Sequence, residues 1–132
     1  MSGGFPWWQM LAVASGSAVG AVARWQAGVW FNMPGAALPL GTLLVNCVGG
    51  LLIGIALVGF GRVPHEVLRL LLVTGFLGGL TTFSAFSGES LALLQRGAFG
   101  WAFVHTLAHV LGALGCAALG AAAARALWGT GA

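Results

Sequence analysis

The sequence predicts an all-α integral membrane protein of four transmembrane helices. Three observations carry that prediction. Of the 132 residues, 59% are hydrophobic and only 5% are charged, against roughly 25% charged in ordinary soluble domains. Four apolar runs approach the roughly 20 residues that a membrane crossing needs. The breaks between them are short and built of turn residues. Five Arg and two Glu, with neither Lys nor Asp, cannot furnish a water-facing surface of this size, whereas lipid tolerates an apolar one. The formal charge of +3 does not point to nucleic acid, because the five Arg are scattered along apolar segments and not clustered on one face. Six Trp without Tyr suit the membrane interface.

The first helix is expected near 7–31. No basic n-region or cleavage site marks a signal peptide, so this run reads as the first membrane helix. Gly16, Gly20, Arg24 and Gly28 recur at every fourth residue on one of its faces. Asn32-Met33-Pro34-Gly35 ends it, and Pro39 opens a second helix near 39–60. Thr42, Asn46, Gly50 and Gly54 share a face there. The turn from Gly61 to Glu66 leads to a third helix near 67–93. Its stretch from Gly75 to Ser84 places Gly75, Gly78 and Gly79 beside Thr81, Thr82 and Ser84 at mid-membrane. Such residues either pack helices closely or mark a helix that opens and leaves backbone carbonyls free for an ion. Gln95-Arg96-Gly97 precedes a fourth helix near 99–127, where His105, His109, Gly112, Cys116 and Gly120 share a face. Small residues in such stripes let helices approach in lipid. Arg24 and Asn46 within them must face protein or water. Cys47 and Cys116 lack CxxC spacing and read as buried, unreactive thiols. Short connections leave no room for an extramembrane domain, so residues 1–132 read as one four-helix transmembrane domain.

With four spans, the termini and the middle loop share one side of the bilayer. That side carries Arg62, Arg69 and Arg125; the other carries Arg96, with Arg24 nearest to it. So small a difference barely engages the positive-inside rule. The expectation is insertion in both orientations, with opposite copies pairing about a two-fold axis as an antiparallel dual-topology homodimer.

Several stretches together resemble one family. Gly41-Thr42-Leu43-Leu44-Val45-Asn46, followed by Gly49 and Gly54, resembles the helix 2 signature of the CrcB/Fluc fluoride channels. The run from Gly75 through Phe83, Phe86 and Ser87, with Glu89 beyond, resembles that family's helix 3 signature, and Gly20-Ala21-Val22-Ala23-Arg24-Trp25 its helix 1 motif. The resemblance implies a passive channel that exports fluoride through the two pores of an antiparallel homodimer in the cell inner membrane. It implies a pore asparagine at Asn46, pore phenylalanines at Phe83 and Phe86, and an arginine near the pore mouth at Arg24. Ser84 and Thr42 are expected on the same path. The resemblance also implies a break in helix 3, whose backbone carbonyls at Gly78 and Thr81 hold a structural Na+ at the dimer centre. The chain departs from the pattern at Ala85, where a hydroxyl is usual, and at His105 and His109, where Tyr and Ser or Thr are usual.

Physical chemistry fits the implied set. A dry pore must replace the water around fluoride with donors, and an Asn amide has two N–H groups. A phenyl ring offers a positive edge to an anion, and conduction needs binding weak enough to release. His105 and His109 lack an HExxH motif or an acidic neighbour and read as hydrogen-bonded packing or pore-lining residues. Glu89 reads as capping polar groups near the end of helix 3, and Glu66 as solvated. Two other classes are weaker. A small dual-topology cation or multidrug antiporter needs a carboxylate deep in the membrane, and helix 1 has none. An intramembrane hydrolase built on Ser84 or Ser87 with a helix 4 histidine needs a nucleophile, base and oxyanion donors brought together. The chain therefore reads as a channel and not an enzyme.

Overall fold

The structure is a computed structural model that describes residue 4 and residues 6–129. Every element in it is helical. α1 spans Trp7–Phe31 and α2 spans Leu40–Arg62. The third rod begins as α3, Glu66–Arg69, widens into a π-helical stretch over Leu70–Leu77, and ends as α4, Gly78–Leu80. Thr81 and Thr82 are extended, after which the chain resumes as α5, Phe83–Gln95. α6 runs from Phe99 to Trp128. Among the described residues, three stretches are long and apolar enough to cross a membrane: Leu40–Arg62, Glu66–Gln95 and Phe99–Trp128. α1 has similar length, but Gln9, Ser15, Ser17, Arg24 and Gln26 dilute its apolar character. Large apolar side chains such as Trp25, Trp30, Leu114 and Leu127 are mostly exposed. Water would penalise such a surface and lipid does not.

Two close pairings hold the rods together, and glycine makes both possible. α1 lies along the third rod. A Cβ at Gly20 would strike the Phe76 carbonyl and sit 2.7 Å from Leu80 N, and one at Gly79 would strike the Ser17 carbonyl. α2 lies along α6, where a Cβ at Gly54 would strike the Ala117 carbonyl and one at Gly120 the Leu51 carbonyl. The stripes legible in the sequence are therefore contact seams. Cys47 and Cys116 are free and half-buried, less enclosed than expected.

The connections reverse the chain without strain. Gly35 and Gly97 take positive φ of 79° and 73°, a region that glycine enters readily. Asn32, just past α1, accepts from the backbone N–H of Gly41 and Thr42 through Oδ1 at 2.7 and 3.2 Å. It thus caps α2 from a neighbouring element, satisfying donors that a helix start leaves free. At the other end, Arg62 Nη1 donates to the carbonyls of Trp128 and Gly129 at 2.6 and 2.8 Å. A cation there also meets the negative end of the α6 dipole.

Candidate functional site

The break in the third rod is the centre of the site. In an unbroken helix the Thr82 N–H would bond the Gly78 carbonyl; here it donates to Asn46 Oδ1 at 2.9 Å. Asn46 Nδ2 returns a bond to the Thr82 carbonyl at 3.0 Å. One side-chain amide on α2 therefore pairs with both backbone groups of Thr82, as a neighbouring strand would. Thr82 also caps α5, accepting from Ala85 N through Oγ1 at 3.1 Å. Opening a helix is tolerated at membrane depth only where the freed groups find such partners.

A groove of about 520 Å³ flanks the break, and Asn46, Gly78, Thr81, Phe83, Phe86 and His109 contribute to its wall. Among the described residues, no Asp, Glu, Lys or Arg lines it. Phe83 is 79% exposed, as open as the lipid-facing Leu127 at 81%. Its ring centroid lies 5.5 Å from that of Phe86. Phe86 in turn stacks on His105 at 5.1 Å and leans on His109 at 4.8 Å. Beyond Thr82 lies a second cavity of about 360 Å³, bordered by Arg24, Thr42, Ala85 and Glu89. Arg24 Nε donates there to the Gly79 carbonyl at 3.0 Å, which ties α1 to the rod just before the break. Of the site residues that the resemblance implies, Asn46, Gly78, Thr81, Phe83 and Phe86 line the first cavity and Arg24 and Thr42 the second. Ser84 lines neither: it is exposed, and its hydroxyl lies 3.2 Å from Thr82 Oγ1.

The structure corrects the reading of the histidines. They have an acidic neighbour, because His105 Nε2 lies 3.0 Å from Glu89 Oε2. Thr42 Oγ1 donates to the other Glu89 oxygen and accepts from Asn32 Nδ2. Ser90 Oγ lies 2.9 Å from His105 Nδ1. A polar chain thus runs from Asn32 through Thr42, Glu89 and His105 to Ser90, tying α1, α2, α5 and α6. One signal for it was available: Glu89 and His105 each lie eight residues from Gly97, so a tight reversal there sets them side by side. Ser90, His105 and Glu89 have the order of a hydrolytic triad. However, they sit within helices, whose backbone N–H groups are already bonded, and His105 is only 1% exposed. Within these helical segments the backbone N–H groups beside Ser90 and His105 are not free to act as oxyanion donors.

Among the described residues, an all-helical architecture with three membrane-length apolar helices and an uncharged groove at a broken helix defines a multi-pass membrane protein of the transport class. A family model described as CrcB-like protein, Camphor Resistance (CrcB), matches residues 11–121. The chain belongs to the CrcB family. A "Fluoride-specific ion channel FluC" of Bordetella petrii is 52% identical over 119 residues, covering 89% of this chain and 91% of the relative. Proteins of the same name from Cupriavidus pinatubonensis and Aromatoleum aromaticum are 54% and 51% identical, covering 83% and 86% of this chain and 89% and 88% of the relatives.

Proposed function

We propose that this protein is a passive, fluoride-selective channel that lets fluoride leave the cytoplasm across the cell inner membrane. The observation that carries the reading is the uncharged groove in which Asn46, Phe83, Phe86 and His109 converge beside the helix break. Relatives of about half identity that cover most of the chain bear the name of a fluoride-specific channel. A small hydrated anion needs its water replaced by weak donors, and aromatic edges with polar N–H groups are such donors. A fixed cation in the groove would hold the ion too tightly to conduct. The chain is a channel and not an enzyme.

The reading extends to the assembly. α1 crosses the bilayer as a fourth span, supported by its seam along the third rod. Two copies pair in antiparallel orientation, which gives the open Phe83 ring a protein neighbour in place of lipid. Thr42 and Arg24 line the approach to the pore, and Ser84 meets it from the exposed side of α5. A Na+ ion at the dimer centre is held by the carbonyls of Gly78 and Thr81. The residues fit such an ion: the break takes the Thr82 N–H away from the Gly78 carbonyl, Gly78 is exposed, and carbonyl oxygens are ligands for hard cations. An antiporter would need a carboxylate free to exchange protons, whereas both Glu89 oxygens are engaged.

The test is efflux from liposomes holding purified protein and potassium fluoride, followed with a fluoride electrode. Rapid release without a proton gradient, with chloride retained, is the expected result. Proton-driven movement of organic cations without fluoride release would replace the channel by the antiporter.

A further inference from the structure

The C-terminal ends of α2 and α6 carry a site of a different kind. The Arg62 bonds to the Trp128 and Gly129 carbonyls set the two helix ends side by side. Between them runs a groove of about 440 Å³, walled by Leu57, Val58, Gly61, Arg62, Ala121 and Arg125. It shares no lining residue with the groove beside the helix break, so its role is independent of the channel reading.

The groove changes character along its length. Residues four apart lie on one helix face, so Arg62 follows Val58 and Arg125 follows Ala121 at the same end. Two exposed guanidiniums therefore head a strip that is otherwise apolar. A Cβ at Gly61 would meet no atom within 4 Å, so the missing side chain leaves the strip open. Arg62 uses Nη1 on the two carbonyls, which leaves the N–H groups of Nε and Nη2 for a further acceptor. The end of α6 offers only about half a unit of negative charge, and Arg125 adds a full positive one. Among the described residues, no carboxylate lines the groove. The chain has only two acidic side chains, and both are engaged elsewhere. Glu89 binds Thr42 and His105, and Glu66 accepts from Gln9 Nε2 at 3.2 Å. The positive end is thus open to an anion that the described residues do not supply.

We infer that this groove binds an anionic diacyl phospholipid, with its phosphate on Arg62 and Arg125 and an acyl chain along Leu57, Val58 and Ala121. Both helices are of membrane length and end here, which puts the guanidiniums at headgroup depth. Trp128, half exposed at the same level, suits that interface. Arginine stems lie along apolar surface while their heads reach the polar layer, and a guanidinium matches a phosphate through paired N–H groups. Basic pockets between membrane helices take such headgroups. Free phosphate would leave Leu57, which is 61% exposed, uncovered. A second copy of the chain, with five Arg and two Glu, would bring little negative charge.

The experiment follows thermal unfolding of the full-length protein in dodecyl maltoside while dioleoylphosphatidylglycerol or dioleoylphosphatidylcholine is titrated in. A ligand of the folded state raises Tm, and phosphatidylglycerol should do so by roughly 4 °C or more at saturation, with phosphatidylcholine far weaker. Arg125→Gln should weaken the response about tenfold in lipid concentration, the effect of one charge-assisted hydrogen bond. Arg125→Lys should retain most of it. Gly61→Leu keeps both arginines but fills the strip, and should abolish the response. Arg96→Gln removes the same charge from the other end of the molecule and should respond as the wild type does. Equal shifts with the two lipids overturn the inference, as does an Arg96→Gln loss that matches Arg125→Gln. Millimolar inorganic phosphate that reproduces the shift without lipid also overturns it, leaving a simple anion site. If Gly61→Leu splits the protein into monomers and phosphatidylglycerol has no effect, the groove is instead a contact between copies. If Arg125→Gln does not fold, the contrast between lipids in the wild type and the Gly61→Leu response still decide.

Discussion

At the scale of single residues, Phe86 is the side chain whose substitution separates chemistry from packing. It stacks on His105 with an interplanar angle of 11° and touches the wall of the groove. Phe86→Ile keeps apolar bulk but removes the ring and its positive edge. We expect fluoride efflux to stop, with a stability loss of only about 1 kcal/mol from the broken stacking. Phe86→Trp keeps a ring and should retain part of the rate despite overpacking. Efflux and thermal unfolding measured on both variants check this, and an Ile variant that conducts normally removes the aromatic ring from the mechanism. The sequence made Phe83 and Phe86 visible only through a motif, whereas Asn46 already stood out as a polar group within a stripe of small residues. Physically, a phenylalanine in an apolar run carries no mark of function, and its exposure beside a polar break appears only in three dimensions. Thr82 was legible only as one hydroxyl of the glycine-rich run, for a related reason. Its pairing with Asn46 uses its backbone N–H and carbonyl, a pair that every residue but proline possesses.

At the scale of elements, the sequence was far more legible, because helix seams in lipid are written in residue size. Gly16 and Gly20 on α1 and Gly50 and Gly54 on α2 sit at every fourth position and face partner backbones. The break of the third rod falls within the glycine- and hydroxyl-rich run, at Thr81 and Thr82. Periodicity alone left that run open between packing and opening; it does both, since Gly75 and Gly79 pack on α1 while the threonines open the helix. The link between Glu89 and His105 was hidden because it joins two helices, and a pattern within one helix cannot report it. The seams predict a contrast within a single stripe. Gly20→Ala places its Cβ against the Phe76 carbonyl and should destabilise the fold by about 1–3 kcal/mol. Gly28→Ala meets only the Asn32 side chain, at 3.4 Å, and gains up to about 1 kcal/mol of helix propensity. Unfolding in detergent should therefore rank Gly20→Ala below the wild type and Gly28→Ala at or above it.

At the scale of the whole molecule, the question is how a chain with so little charge chooses its orientation. The positive-inside rule counts Arg and Lys near the ends of the spans, and three arginines face two here. The structure weakens even that margin. Arg62, on the richer side, spends its charge on the carbonyls ending α6, where the helix dipole offsets it. Neither orientation then has a decisive advantage, and copies should insert both ways in comparable numbers, as a closed antiparallel pair requires. Single cysteines placed within residues 61–66, in a background lacking Cys47 and Cys116, should therefore react with impermeant thiol reagents from both sides of the membrane. Labelling from one side alone would end the dual-topology reading. A small margin also means that a small change should tip it. Two lysines added to the same loop contribute more positive charge than the native difference, and should drive nearly all copies one way. Antiparallel partners would then be missing, so fluoride efflux should collapse although each copy still folds. Co-expressing a second version with two lysines beside Arg96 supplies the opposite orientation and should restore efflux. If the loop-lysine protein conducts fully on its own, with labelling from one side, the pore does not need an inverted partner.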